Sequence, residues 1–384
     1  VDTIRLLRLN LISTLIFSLS GLAMAGLQAN QHFLLPALAP ILYDLGQIFG
    51  ALVLAPTEPL KLGPISLPAM GFGVDGLVYG VILGALLHLL IQVPGLIKYH
   101  FRWHPRVDFK DPNTRKVLRL MGPRLVSMLF IQLIFLAQDN LGSRLPEGSV
   151  SALTYGWWIM QVPQTLIGTS IATAILPTLS EMFSNQQFDD MKVKIERAAR
   201  VMLTLTVPIA IIAGMVLLPL IRSFLGLEES ATMRVVNVSQ VFLVGIVGHS
   251  LVELFVRSFY SLQKPRIPLL GSAFTLVVFI LLGIVLSPAL EAVGVASANT
   301  IAYTLQSILL LILLSKTMPS PFRLGGSLLK SMLAALIGGA AAYAIINWAP
   351  VLAGSLFGAV AAFGIGVLLA ALVLRKDLRE IAEL

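Results

Sequence analysis

Glu253 and Arg257 stand four residues apart inside a long apolar stretch, 236–260. That spacing puts an acid and a base on one face of a helix. Such a pair can line a cavity, contact an anionic headgroup, or change partners as a protein rocks. It can equally neutralise itself, with Arg257 reaching towards lipid phosphates. Few other charges interrupt apolar runs: Asp44, midway through 34–55, and Arg124 and Asp139 within 117–141. A charge at the centre of a bilayer costs about 2.5–3.5 kcal/mol on insertion scales, so each is a functional candidate by default. Asp44 reads as a proton carrier or as a hydrogen-bonded packing residue. Asp139 reads as a cation ligand, as a titrating group, or as a solvated side chain near the interface. Arg124, two turns into its run, snorkels towards the inner surface. His88 and His249 each stand alone, which favours satisfied core histidines over ligands. No HExxH, GxSxG, P-loop or DDxxD pattern is present, and there is no cysteine for thiol or Cys-zinc chemistry.

These residues are set in a chain of 384 residues that is 57% hydrophobic and only 12% charged, with a mean hydropathy of +0.89. A soluble domain is nearer 45–50% apolar and about 25% charged. The composition excludes a cytosolic globular fold, a disordered chain and a secreted disulfide scaffold. The net charge of +8 therefore matters through its placement beside apolar spans rather than as a sign of nucleic-acid binding.

A helix that crosses a bilayer needs about 20 mainly apolar residues. Broken at Pro/Gly and charge clusters, the sequence predicts eleven spans: 6–28, 34–55, 74–97, 117–141, 150–182, 200–221, 236–260, 267–287, 291–314, 328–347 and 351–374. The 150–182 run is too long for one simple crossing and predicts a tilt or a bend near Gly156, Pro163 or Gly168. Neither strand alternation nor a heptad series competes with this reading. Trp157 and Trp158 read as interface or packing aromatics.

The connections alternate in charge. One set carries Lys98 to Arg119, Lys192 to Arg200, Lys264 and Arg266, Lys316 to Lys330, and Arg375 to Arg379, 19 basic residues in all. The other set, with the first turn, carries Arg5, Arg8, Lys61, Arg144, Arg222 and Arg234. The basic set is expected in the cytoplasm, which places the C-terminus inside and, with eleven spans, residue 1 outside. An odd number of preceding helices would return the start to the cytoplasm.

Four stretches carry a family resemblance: SGLAMAGLQANQHFLLPALAPILYDLGQIFG (20–50), GALLHLLIQVPGL (84–96), LTYGWWIMQVPQTLIGTSIATAILPTLSEMF (153–183) and VRSFYSLQKPRIPL (256–269). Through them the chain resembles the MurJ/MviN lipid II flippases of the multidrug/oligosaccharidyl-lipid/polysaccharide exporter superfamily. The resemblance implies an all-α integral membrane fold whose eleven spans match helices four to fourteen of a two-lobe, fourteen-helix carrier, with three N-terminal helices absent. It implies that 1–110 is the remaining half of an N-terminal lobe and 111–316 a six-helix C-terminal lobe. Residues 317–384 would be a final helix pair beside a groove for the lipid tail.

The implied function is movement of a lipid-linked peptidoglycan precursor across the bacterial cytoplasmic membrane by alternating access, with no chemical bond changed. Its partners would be an undecaprenyl-diphosphate-linked substrate, membrane lipids and cell-wall synthesis proteins, and not nucleic acid. Glu253, Arg257, Asp44 and Trp158 are the cavity candidates. No cofactor is expected beyond sodium or proton coupling. Asp139 matches a family sodium position, and Asn299 is a polar partner on the helix-twelve segment. The helix-eleven segment 275–283 offers mainly apolar side chains, which leaves that ligand set incomplete. The family's Tyr-Ala-Asp-Arg on helix eight reads Tyr155-Gly156-Trp157-Trp158 here, and an indole has one N–H and no charge to offer a phosphate. Two alternatives stand beside transport of this precursor: a transport-inactive paralogue acting as a scaffold or regulator of cell-wall synthesis, and an exporter of another lipid-linked glycan.

Overall fold

The computed structural model describes residues 2–30, 32–62, 65–101, 111–348 and 355–375. The chain divides into two compact units, 1–108 and 109–384. Among the described residues, ten helices are long and apolar enough to cross a membrane, and the fold is that of an all-α, multi-pass membrane protein. Of the basic connections, Arg102, Arg106, Lys110, Lys376 and Arg379 lie outside the described residues.

The first unit holds α1 (Asp2–Ala29), α2 (Leu34–Phe49) running into a π-turn (Gly50–Leu54), α3 (Val74–Leu90) and the short α4 (Val93–Lys98). Between the π-turn and α3 the chain doubles back as a small antiparallel hairpin, β1 (Leu60–Leu62) and β2 (Ile65–Leu67), a feature the sequence reading does not anticipate. The α2–α3 contact is built on glycine. A Cβ on Gly46 would lie 2.3 Å from the Gly84 Cα, and one on Gly80 2.6 Å from the Gly50 Cα. Where lipid is as apolar as leucine, helices associate by such close backbone approach rather than by hydrophobic exclusion. Arg5 and Asp75 pair at 2.6 Å, joining the first turns of α1 and α3.

The second unit begins with α5 (Pro112–Gly142), whose start is set by proline in the first turn and by the Asp111 carboxylate accepting from the Thr114 N–H at 2.9 Å. Next come α6 (Ser149–Gln164), a π-turn (Thr165–Thr169) and α7 (Ser170–Ser184). The irregularity expected within 150–182 thus falls just after Pro163 and includes Gly168. Gly168 packs on α9; a Cβ there would lie 2.6 Å from the Ser250 hydroxyl. The long helices α8 (Phe188–Leu225) and α9 (Glu229–Ser261) form the centre of the unit. Both are mostly buried, with Phe242, Phe255 and Phe259 of α9 fully so. Helices α11 (Gly325–Trp348) and α12 (Leu356–Val373) pack on α8 through Ala334, Ala342, Ala359 and Ala362 against Ile212 and Val216.

Helix α10 (Arg266–Ser315) has 50 residues. At about 1.5 Å per residue it would be far longer than a bilayer of about 30 Å is thick. It is not straight. Glu291 leaves helical geometry at φ 50°, ψ −132°, and the chain folds back so tightly that a Cβ on Gly294 would lie 2.4 Å from the Leu286 carbonyl oxygen. Only glycine tolerates that approach. Gly271 of the first limb then packs beside Gln306 and Leu310 of the second. Two antiparallel limbs, corresponding to the expected 267–287 and 291–314 runs, therefore form what is otherwise one continuous element.

Candidate functional site

The second unit encloses a cavity of about 390 Å³ lined by α5, α6, α7, α9 and both limbs of α10. Helical spacing explains how each element supplies its wall. Helix α9 turns His249, Glu253, Arg257 and Tyr260 to the same face; α6 presents Trp157, Gln161 and Gln164; α5 presents Arg124, Ser127, Ile131 and Ile134. The first limb of α10 adds Pro268, Ser272 and Thr275, and the second adds Tyr303 and Gln306.

One end of the cavity is charged. Arg257 donates to the Glu253 carboxylate one turn earlier on α9. The Arg124 guanidinium carbon lies 5.9 Å from the Tyr260 ring centroid, within cation–π range. Arg124, Arg257 and Tyr260 all line this end. Arg257 is thus paired with Glu253, while Arg124 lies over the Tyr260 ring.

The opposite end is aromatic. Trp157 meets Phe135, His249 and Phe242 edge-on, with centroids 5.0, 5.3 and 5.9 Å apart. His249 stacks on Tyr303 at 3.8 Å, and its Nε2 lies 3.1 Å from the Asn299 Oδ1. An amide oxygen only accepts, so Nε2 carries the proton. Between the two ends, the Ser127 and Thr275 hydroxyls donate to carbonyls of their own helices. Gln306 is 2% exposed, and its Oε1 has no hydrogen-bond partner.

Of the four cavity candidates read from the sequence, Glu253 and Arg257 line this space. Trp158 does not: it is 58% exposed and touches Tyr155 edge-on. Asp44 is exposed on α2 of the first unit. Arg124, read as a snorkelling residue, lines the cavity. The glutamines at 161, 164 and 306 are not among the residues the sequence singles out, although the spacing of Trp157, Gln161 and Gln164 already marks one face.

Asp139 and Asn299, the sodium candidates read from the sequence, meet different surroundings. Asp139 is exposed on α5, whereas Asn299 is buried on α10 and its oxygen accepts from His249. Among the described residues no group of three or more His, Asp or Glu is placed to hold a metal ion. His88 has partners too: its Nδ1 lies 2.7 Å from the Ser20 hydroxyl, which also accepts from Gln92 at 2.7 Å.

Comparison with known proteins agrees with this architecture. The model of the family described as "Lipid II flippase MurJ" matches residues 2–362. The lipid II flippase MurJ of Burkholderia cenocepacia is 27% identical over 314 residues, covering 79% of this chain and 58% of the relative. A probable lipid II flippase MurJ of Vibrio cholerae is 30% identical over 239 residues, covering 61% of this chain and 45% of the relative. The chain spans about half the length of the curated relatives it matches. A solved structure described as "Lipid II flippase MurJ, inward closed conformation" shares the fold, with a TM-score of 0.75 and 20% identity over 98% of this chain and 75% of that one. On the match of the family model to nearly its whole length, the chain belongs to the MurJ lipid II flippase family.

Proposed function

We propose that this chain is part of a membrane carrier that moves a lipid-linked peptidoglycan precursor from the cytoplasmic to the outer leaflet by alternating access. The observation that carries this reading is the family match over 2–362. Eleven crossings are proposed, with the α10 limbs counted separately, and the basic connections and C-terminus in the cytoplasm. They correspond to helices four to fourteen of the family's carrier. Residues 1–110, 111–316 and 317–384 act as the remainder of one lobe, the second lobe and the final helix pair. The partners are an undecaprenyl-diphosphate-linked substrate, the surrounding lipids and cell-wall synthesis proteins. Coupling to sodium or to a proton is proposed, with Asp139 and Asn299 as an incomplete sodium ligand set.

Translocation of fluorescent lipid II in proteoliposomes tests the reading. Protein-dependent exposure of the lipid on the opposite leaflet is expected; none from well-folded protein would sink it.

One observation favours a second reading, a transport-inactive scaffold. Trp158 stands where the family motif carries arginine, and an indole cannot grip a phosphate bidentately. Trp158→Arg separates the two. Activity gained only in the variant supports the scaffold, whereas equal, robust activity in both supports the carrier.

A further inference from the structure

We infer that the π-turn at Thr165–Thr169 is a hinge with two settings, and that the Ser250 hydroxyl is the donor that holds the second one.

The sequence loosens the helix here. Pro163 has no N–H to give the Ile159 carbonyl, one turn back. Just beyond it the ladder widens. The Ser170 N–H donates to the Thr165 carbonyl, five residues back, and the Ser170 hydroxyl donates to the same oxygen at 3.0 Å. A π-turn carries an extra residue within an α-helix, and such turns recur at functional sites. No water reaches the backbone in the hydrocarbon of a bilayer, so neighbouring side chains have to satisfy any group the turn frees.

Helix α9 supplies such a side chain, and in this setting it is idle. Ser250 is 1% exposed, and its hydroxyl has no hydrogen-bond partner. Other buried serines of α9 donate to a carbonyl one turn earlier: Ser239 to Val235, Ser258 to Leu254 and Ser261 to Ser258. Ser250 does not. It sits against the π-turn, so close that a Cβ on Gly168 would lie 2.6 Å from its oxygen. A buried donor without an acceptor is costly, and this one faces a segment whose carbonyls exchange partners when the extra residue moves.

The way to move is towards Pro163, where the ladder already lacks a donor. Only the residues passed over then rotate, by about 100°, the step of one helical residue, while the outer parts of α6 and α7 keep their packing. A carbonyl of the turn comes round against Ser250 and accepts from its hydroxyl, and the missing Cβ of Gly168 leaves room for it. Gln164, at the edge of the turn, lines the cavity, as Gln161 does before it and Leu176 after it. The hinge therefore reshapes that wall by withdrawing the Gln164 amide. The inference depends neither on what the cavity holds nor on the carrier reading.

The test is fluorine NMR of the purified full chain in nanodiscs, with Leu166→Cys carrying a trifluoromethyl tag. Leu166 lies in the turn and is 70% exposed, and there is no native cysteine to compete for the tag. The parent should show two settings, as two resonances or as one line with relaxation dispersion. Ser250→Ala should reduce the second population about tenfold, the scale of one hydrogen bond. It should leave the melting temperature unchanged or higher, because the first setting makes no use of the hydroxyl. Pro163→Ala restores the missing donor and should reduce the second population as well. Ser258→Ala removes a hydroxyl bonded within α9 and should leave the populations as they are. A single setting in the parent, populations that Ser250→Ala does not change, or an equal change in Ser258→Ala overturns the hinge. So does a melting temperature that falls in Ser250→Ala, since the hydroxyl would then be bonded already. Should the tag disturb the turn, amide hydrogen exchange across 163–170 in untagged protein carries the same comparison: slower exchange in Ser250→Ala supports the hinge, and unchanged exchange counts against it. Neither readout requires transport, so a failed translocation assay leaves the hinge standing, and a single setting in an active protein leaves the carrier.

Discussion

Trp157 and Trp158 are neighbours on α6 that meet different surroundings. Trp157 is wedged among Phe135, His249 and Phe242 and lines the cavity, whereas Trp158 is 58% exposed beside Tyr155. Successive helical residues point about 100° apart, so one can join the interior while the next leaves it. Trp157→Ala removes the centre of an aromatic cluster and should destabilise by about 3 kcal/mol, the lower end of the range for large aromatic truncations, because the ring is only half-buried. Trp158→Ala should leave the melting temperature within a degree or two. Thermal unfolding in detergent decides it, and equal losses in both variants would contradict the different settings of the two rings.

The packing of α2 on α3 yields a second expectation. Gly80→Ala puts a Cβ 2.6 Å from the Gly50 Cα, and backbone must move to admit it. Gly21→Ala, on α1, meets nothing within 4 Å and should gain helix propensity, up to about 1 kcal/mol. Protease resistance of residues 1–108 should fall in the first variant and hold in the second. A Gly80→Ala protein as resistant as the parent would show that close glycine contact does not hold these helices together.

Asn299 gives a third. Its oxygen is the acceptor for the buried His249 Nε2–H. Asn299→Leu leaves that donor unsatisfied and should cost about 1–3 kcal/mol. Asp139 is exposed and Asn299 buried, so exchanging sodium for potassium should leave the melting temperature of the parent protein unchanged, since a ligand that binds only the folded state would raise it. A sodium-specific rise abolished by Asp139→Asn would restore the cation site implied by the family resemblance.

Hydropathy made much of this fold readable, because span length and loop charge are properties of one segment at a time. The irregularity in 150–182 was also legible, since proline and glycine announce where a helix can deviate; its form, a π-turn at Thr165–Thr169, depends on Gly168 meeting Ser250 of another helix. The site was less legible for the same reason. Glu253 and Arg257 could be paired from spacing within α9, but Arg124 joins them from another helix, over the Tyr260 ring, a contact that no local pattern encodes. Gln306 passed as an ordinary polar residue because its missing partner is visible only when its neighbours are known.

The break at Glu291 leads to the sharpest test of topology. With Gly271 beside Gln306 and Leu310, the two limbs of α10 run antiparallel, so residues 264 and 317 should lie on one side of the membrane and residue 290 on the other. The chain contains no cysteine, and single-cysteine variants can be made without removing any native thiol. Lys264→Cys and Thr317→Cys should react with a membrane-impermeant maleimide only after the cells are opened, as the basic residues nearby require, while Leu290→Cys should react in intact cells. Gln187→Cys and Leu227→Cys, flanking α8, should follow the same inside–outside order. If Leu290→Cys labels together with Lys264→Cys, α10 does not cross twice, the charge alternation loses its register from that point to the C-terminus, and the proposed cytoplasmic C-terminus falls with it.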